Sequence, residues 1–200
     1  MSATGSTLRV RTQWLVYALA LAAAGATGGR LLEGGAGLLA QAAGFALVAT
    51  AVLWRLWTTL FVAGRKEAVL VREGPYAGCR HPLYLGSIIA ALGIGLTTRS
   101  VVMTVALPLA IAAMAVMAAR REDAALAAAH GDDWREYRDS TPAFRLRWRR
   151  PAAPALVPVP PAAYRKAFLD AASFLALWLA VVVLETLRAG GAWQPVLRLP

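Results

Sequence analysis

The side chains best suited to chemistry lie in a polar segment, residues 70–86, set between long apolar blocks. The Gly-Pro-Tyr sequence at 74–76 predicts a turn, and a turn of this kind lets backbone groups approach a ligand closely. Tyr76 and Tyr84 offer flat faces for a base or a cation. The segment also supplies two donors for an anion, Arg80 and His81.

Two adjacent acids, Glu122 and Asp123, follow the fourth apolar block. If the third and fourth blocks form an antiparallel helical hairpin, these acids meet the segment around His81 and Tyr84. A pocket with cationic, aromatic and acidic walls suits a zwitterionic nucleoside ligand. The alternative is that these charges only decorate a membrane edge, where Arg, His, Tyr and Trp are common.

Composition indicates a membrane protein. Of the 200 residues, 58% are hydrophobic and only 16% are charged, against about a quarter in a soluble domain. The net charge of +10 is explained by loops that face anionic lipids, and no reader motif favours nucleic acid. The single cysteine, Cys79, excludes an intrachain disulfide, and no Cys/His spacing indicates a metal site.

Apolar blocks define the expected architecture. We predict an all-α, polytopic integral membrane protein with about five transmembrane helices and a single membrane domain over residues 1–200. The spans are residues 12–29, 37–62, 83–98, 101–119 and an additional helix at 167–187, preceded by a Pro/Ala-rich linker at 151–163. The first block could also be a signal peptide.

Several single residues refine this outline. Arg55, inside the second block, is interpreted as a snorkelling arginine in an aromatic belt, with an intramembrane anion partner as the alternative. Pro82 is placed to open the third span, and Pro108 to kink the fourth. Arg99 and Ser100 predict a tight turn. Residues 120–150 predict a helix lying along a membrane surface.

Loop charge predicts the orientation. Residues 64–81 and 120–166 hold most of the Lys and Arg, whereas the turns near residues 30 and 99 hold one Arg each. The positive-inside rule then puts both rich segments in the cytoplasm and the C-terminus outside. The expected location is the plasma (inner) membrane, with the site facing the cytoplasm.

Two motifs carry a family resemblance. The sequence R-E-G-P-Y-A-G-C-R-H-P-L-Y-L-G, residues 72–86, resembles the G-P-Y-x-x-x-R-H-P-x-Y-x-G signature of the isoprenylcysteine carboxyl methyltransferase and phospholipid methyltransferase families. Residues 121–142, R-E-D-A-A-L-A-A-A-H-G-D-D-W-R-E-Y-R-D-S-T-P, resemble their E-E-x-x-L-x-x-x-F-G-x-x-Y-x-x-Y-x-x-x-V-P block. The order, separation and intervening hairpin also match, over a core of residues 45–148.

The resemblance implies an integral membrane methyltransferase that uses S-adenosylmethionine and a lipid-like or isoprenoid substrate entering from the bilayer. Carried over by position, it assigns no catalytic residue and eight cofactor-binding residues: Leu70, Val71, Tyr76, His81, Pro82, Leu83, Tyr84 and Glu122. Methyl transfer to a carboxylate or thiolate needs no general base. His81 is the one candidate base, although cofactor binding is its favoured role.

Departures from the pattern leave the substrate open. Asp123, His130, Trp134 and Thr141 replace the usual Glu, aromatic residue, Tyr and Val. Arg120 or Arg121 could hold an anionic headgroup, although at a membrane edge they are first of all topology signals. Two other classes remain: an NADPH-dependent membrane reductase of the sterol reductase type, which shares the R-H-P-x-Y-x-G turn, and a non-catalytic membrane protein of the same fold. The sequence does not indicate the oligomeric state.

Overall fold

Four long helices form most of the part of the chain that the structure describes. The computed structural model describes residues 18–19, 21–22, 24–29, 34–63, 69–147, 159–194 and 197–199. The helices are α1 (Gly34–Val62), α2 (Pro82–Thr97), α3 (Val101–Ser140) and α4 (Pro161–Ala189), with a short 3-10 helix at Gly74–Ala77. Strands β1 (Thr27–Gly29) and β2 (Leu197–Leu199) pair in parallel.

The helices have the length and composition expected of membrane spans. Among the described residues, α1, α3 and α4 are each long and apolar enough to cross a bilayer, and α2 is a shorter apolar helix. The prediction of an all-α polytopic membrane protein is confirmed, since the described β-structure amounts to two three-residue strands. Of the first predicted span, residues 12–29, the structure describes residues 18–19, 21–22 and 24–29. Those up to residue 26 are helical, whereas residues 27–29 form β1, so this helix ends earlier than predicted.

Glycine allows α1 and α2 to pack closely. A Cβ added at Gly44 would lie 2.5 Å from the carbonyl oxygen of Gly93, and one added at Gly93 would lie 2.6 Å from that of Gly44. Neither contact is tolerable, so larger residues would force the two backbones apart. Small residues at helix interfaces serve this purpose in lipid, where van der Waals contact largely drives association.

The turn between α2 and α3 lies where the sequence predicted it. Arg99 adopts a left-handed φ of 57°, and the Ser100 hydroxyl caps α3 by accepting a hydrogen bond from the Met103 amide at 3.4 Å. A Cβ at Gly95 would lie 2.8 Å from the Met103 carbonyl oxygen. The tight reversal therefore places α2 and α3 side by side and antiparallel.

The length of α3 corrects the sequence prediction. The expected span 101–119 does not end before a separate surface helix, because α3 continues through Arg120 and the two acids to Ser140. Alanine is the strongest helix former, and it fills much of this stretch. The non-helical backbone inside α3 is at Gly131 (φ 52°, ψ −119°) rather than at the predicted kink, Pro108.

Helix α4 packs against α1 and, over a smaller area, against α2. The shared core joins residues of all three helices: Val48, Ala51, Val52, Ala90, Ile94, Ala171, Phe174, Leu177 and Val181. The Trp178 indole donates a hydrogen bond to Oγ1 of Thr97 at 3.0 Å. Among the described contacts, α3 instead packs on α2, so α3 and α4 flank the α1–α2 pair.

Arg55 contradicts the snorkelling interpretation. Its side chain is 13% exposed and forms an ion pair with Asp170 of α4. The guanidinium also lies 5.0 Å from the centre of the Phe174 ring. A buried charge requires a partner of opposite sign, and here a second helix supplies it. The alternative interpretation, an intramembrane anion partner, is the one observed.

Candidate functional site

The loop that leads into α2 begins with a strained turn. Gly74 has φ +57°, and a Cβ there would lie 2.5 Å from the Phe61 ring, so only glycine fits. The chain then forms one 3-10 turn, in which the amide of Gly78 donates to the Pro75 carbonyl at 3.3 Å. This turn brings residues 78–81 to the N-terminus of α2.

A second segment, residues 141–147 after α3, docks along this loop. The amides of Arg80 and His81 donate to the carbonyls of Pro142 and Ala143 at 2.9 and 3.1 Å. In the other direction, the Arg147 amide donates to the Gly78 carbonyl at 2.9 Å. The two motifs recognised in the sequence are therefore joined backbone to backbone.

The two acids of α3 lie against the start of α2. Oδ1 of Asp123 is 2.8 Å from Nε2 of His81, and its Oδ2 accepts from Arg80 at 3.0 Å. The Tyr84 hydroxyl donates to Oε2 of Glu122 at 3.1 Å, and the same oxygen is 3.9 Å from Nδ1 of His81. The antiparallel α2–α3 hairpin thus produces the juxtaposition expected from the sequence.

His81 is held as a neutral imidazole. It is only 4% exposed, and this burial lowers its pKa below the ordinary value, although Asp123 and Glu122 act in the opposite direction. Arg80 already compensates the charge of Asp123. Because a carboxylate oxygen accepts hydrogen bonds, we expect Nε2 to donate to Oδ1 of Asp123. The lone pair on Nδ1 then faces the Glu122 side of the site.

Two tyrosines stay protonated beside these acids. Burial, and secondly the charge of Glu122, raises the pKa of the Tyr76 phenol. Burial likewise raises the pKa of Tyr137, whose hydroxyl donates to the Tyr76 carbonyl at 2.7 Å. At neutral pH the Tyr76 hydroxyl is therefore a hydrogen-bond donor.

Aromatic rings enclose the polar centre. The His81 ring lies 5.8 Å from the Tyr84 ring and 5.7 Å from the Phe144 ring, centre to centre. The Arg80 guanidinium lies 5.6 Å from the centre of the Trp134 ring. Flat apolar faces next to charged groups suit a ligand that carries both a planar base and formal charges.

The remaining predicted residues occupy two other places. The Pro82 and Leu83 carbonyls accept hydrogen bonds from Trp54 at 2.7 Å and Arg55 at 2.9 Å, so both residues belong to the base of the site. Leu70 and Val71 are half-buried and lead into Arg72. The Arg72 guanidinium is tied to the part of α3 beyond Gly131, through ion pairs with Asp133 at 3.3 Å and Glu136 at 3.6 Å.

Sequence reasoning missed the roles of three residues. Asp123 was expected near His81 as one of two adjacent acids and was noted as a departure from the family pattern, but its contacts with both Arg80 and His81 were not predicted. Phe144 stacks near His81, and Asp170 reaches the base of the site through Arg55. The contact between Arg55 and Asp170 could have been predicted, because the second and fifth apolar blocks each carry a charged residue that needs a partner. Within the described ranges, no three His, Cys, Asp or Glu side chains form a cluster able to hold a metal ion.

Comparison with known proteins connects this geometry to a family. The phospholipid methyltransferase family model matches residues 34–133. The chain is 35% identical over 152 residues to the cobalt-zinc-cadmium resistance protein CzcN of Cupriavidus metallidurans, covering 76% of this chain and 70% of that protein. It is 35% identical over 150 residues to the nickel-cobalt-cadmium resistance protein NccN of Alcaligenes xylosoxydans xylosoxydans, covering 74% and 68%. No solved structure matches the chain significantly.

Proposed function

The chain belongs to the phospholipid methyltransferase family, and on this premise we propose that it transfers a methyl group from S-adenosylmethionine to a lipid-like or isoprenoid acceptor in the membrane. The observation that carries the proposal is the meeting of Tyr84 and His81 with Glu122 and Asp123 at one end of the α2–α3 hairpin. A random membrane edge has no reason to pair these side chains across two helices.

The residues present fit the cofactor. Its ammonium group requires an acceptor, and Glu122 provides a half-exposed carboxylate. Its carboxylate requires a cationic donor, and Nε of Arg80 is buried without a hydrogen-bond partner among the described residues. Its adenine requires flat apolar faces, which Tyr84 and Phe144 provide. Tyr76 adds a neutral hydroxyl donor beside Glu122.

The bound cofactor would supply an electrophilic methyl group. The chain's own residues would hold the acceptor and that methyl in line, with reacting atoms about 3–3.5 Å apart, and would exclude water. A carboxylate or thiolate acceptor needs no base, whereas an amine must arrive neutral. In that last case Nδ1 of His81 is the available proton acceptor, because burial keeps the imidazole neutral.

Location follows from the charges around the site. We place the site on the cytoplasmic side of the plasma membrane, because the loop before α2 and the end of α3 carry many arginines, whereas the α2–α3 turn carries only Arg99. The membrane halves of α3 and α4 expose large apolar residues, among them Val105, Leu109, Leu179 and Val183. Such surfaces suit a lipid acceptor that arrives sideways.

The first test is cofactor binding to the detergent-purified protein. We expect saturable binding of labelled S-adenosylmethionine that S-adenosylhomocysteine displaces and NADPH does not. Glu122→Gln should raise the Kd about ten-fold or more, because a hydrogen bond to a charged group contributes about 1.5–3 kcal/mol. Asp132→Asn is the matched control, since it removes an exposed carboxylate from the same helix.

The outcomes separate the competing classes. Displacement of the labelled ligand by NADPH alone would indicate the reductase. An unchanged Kd for S-adenosylmethionine in Glu122→Gln would contradict the proposed pocket. The paired acids already disfavour NADPH, whose additional phosphate requires cations. Binding of neither cofactor would leave the non-catalytic membrane protein as the better description.

The names of the relatives add a physiological setting. Both are named for resistance to metals, with cobalt and cadmium in each name. We propose that the methylated product of this chain contributes to such resistance. Expressed in a sensitive strain, the unaltered chain should increase growth in cadmium or cobalt, and Glu122→Gln should not. Equal growth with the unaltered chain and with Glu122→Gln would show that metal tolerance does not depend on methyl transfer.

A further inference from the structure

Helix α4 lies outside the segment that matches the family, yet it contacts the base of the site. The family match ends at residue 133, and α4 begins at Pro161. Its Asp170 forms an ion pair with Arg55 of α1. Since Arg55 in turn binds the first turn of α2, a chain of polar contacts runs from α4 to the residues proposed to hold the cofactor.

Arg55 joins three helices at one point. One guanidinium nitrogen, Nη1, donates to the Leu83 carbonyl at 2.9 Å and to the Ser87 hydroxyl at 2.7 Å, both in α2. The other, Nη2, binds Asp170, and the guanidinium lies 5.0 Å from the centre of the Phe174 ring. Helix α4 therefore contributes both the counter-charge and an aromatic surface.

The neighbouring residue strengthens this grip on α2. The Trp54 indole donates to the Pro82 carbonyl at 2.7 Å, so α1 binds two successive carbonyls of the first turn of α2. Gly86 makes room for this contact, because a Cβ there would lie 2.8 Å from Cγ of Arg55. That first turn carries Tyr84, which reaches Glu122.

Among the described residues, Asp170 supplies the counter-charge of the Arg55 guanidinium. A buried arginine without its counter-charge turns towards any available acceptor or water, since an uncompensated buried charge is costly. Without Asp170, Arg55 would therefore no longer be held in one orientation at the Leu83 carbonyl. The contact from Trp54 to the Pro82 carbonyl would remain.

We propose that Asp170 is a positioning residue: through Arg55 it fixes the first turn of α2, and thereby orients Tyr84 and His81 for cofactor binding. The cofactor part of this inference rests on the proposed function. In this proposal α4 stabilises the base of the site through Arg55 and does not contact substrate or cofactor.

The test replaces the ion pair without leaving a buried charge. In Arg55→Met/Asp170→Leu, apolar side chains fill the space, and such replacements of buried pairs are often neutral or stabilising. We expect a folded protein with an unchanged thermal midpoint, faster amide hydrogen exchange in residues 78–87, and a Kd for S-adenosylmethionine raised about five-fold or more. Asp170→Asn should show the same two changes with a lower thermal midpoint.

A matched control comes from the same helix. Glu185 and Arg188 form another ion pair near the other end of α4, and both of their side chains are buried. Glu185→Gln should lower the thermal midpoint and leave both the exchange of residues 78–87 and the Kd unchanged. A midpoint change alone is therefore the signature of a structural pair, and a Kd change the signature of positioning.

The two readouts separate this inference from the proposed function. Hydrogen exchange needs no cofactor, so unaltered exchange at residues 78–87 in the double variant would overturn the positioning role by itself. Faster exchange with an unchanged Kd would overturn the link to the cofactor. Failure of the unaltered protein to bind S-adenosylmethionine would overturn the proposed function, and with it the cofactor part of the inference, while the exchange result would still decide the role of Asp170.

Discussion

The adjacent acids Glu122 and Asp123 have different hydrogen-bond partners and therefore different roles. Asp123 is shared by Arg80 and His81, so its charge is compensated inside the loop that it anchors. Glu122 accepts a hydrogen bond from the Tyr84 hydroxyl, which orients its carboxylate. Successive residues of a helix point about 100° apart. One acid can therefore hold the architecture while its neighbour faces the proposed ligand.

His81 should make the stability of the protein depend on pH. Its folded-state pKa lies below the ordinary 6.5, so the unfolded chain binds the proton more readily. Its contribution is fully present above about pH 6.5 and is lost as the pH falls through the folded-state pKa. We expect the thermal midpoint of the unaltered protein, relative to His81→Asn, to fall as the pH is lowered from 7 to 5. A constant difference would contradict a buried neutral imidazole.

The sequence showed part of this site. His81, Tyr84 and Glu122 could be placed together because a short turn between two spans forces their ends to be neighbours. The role of Asp123 could not be read, since adjacent acids are equivalent in a pattern until the helix rotation is known. Arg55 was misinterpreted for a related reason: whether an arginine snorkels or turns inward depends on a helix far along the chain.

At the scale of elements, the site is closed by the docking of residues 141–147 on residues 78–81. Cys79 lies beneath this contact, fully buried, and its thiol donates to the Ala143 carbonyl at 3.2 Å. Burial also raises the pKa of the thiol, so little reactive thiolate forms. As the only cysteine in the chain, Cys79 can report whether the two segments are in contact.

Gly78 offers a way to open this contact. A Cβ there would lie 2.4 Å from the Arg147 carbonyl oxygen, so Gly78→Ala must displace the docked segment. Overpacking costs about 1–3 kcal/mol, which corresponds to maleimide labelling of Cys79 about five-fold faster or more. The control is Gly35→Ala, where no atom lies within 4 Å of the added Cβ. Equal labelling rates in the two variants would show that the segments do not dock as described.

Element boundaries were predictable where a local signal exists. Proline at the start of α2 and the polar turn at Arg99 and Ser100 both marked real ends. The length of α3 was not predictable from composition, because a rise in polarity marks where a helix leaves the bilayer and does not mark where it ends. The break in helical geometry inside α3 lies at Gly131, because glycine readily adopts the positive φ found there.

At the scale of the whole molecule, hydropathy was enough to predict an all-α polytopic protein. Blocks of this length span a bilayer as helices, because a helix satisfies all its backbone hydrogen bonds within the segment. Hydropathy does not say which helix packs on which, however. The arrangement in which α3 and α4 flank α1 and α2 depends on glycine contacts and on the Arg55–Asp170 pair.

Orientation gives a prediction for the complete bundle. With the site in the cytoplasm, α4 leads away from it, and β2 lies on the opposite side of the membrane. A reporter fused after Pro200 should therefore be active only outside the cytoplasm, and one inserted near Gly131 only inside. Activity of both reporters on the same side would contradict the proposed topology.

The pairing of β1 with β2 constrains the number of times that the chain crosses the membrane between them. One strand precedes α1 and the other follows α4, yet Thr27 pairs with Leu197. Strands separated by a hydrocarbon layer about 30 Å thick cannot pair, so the number of crossings between them must be even. Within the described ranges, three helices are long and apolar enough to cross, which is an odd number. We therefore expect helix α2, 16 residues and about 24 Å long, to be the fourth crossing, with a bilayer that thins around it.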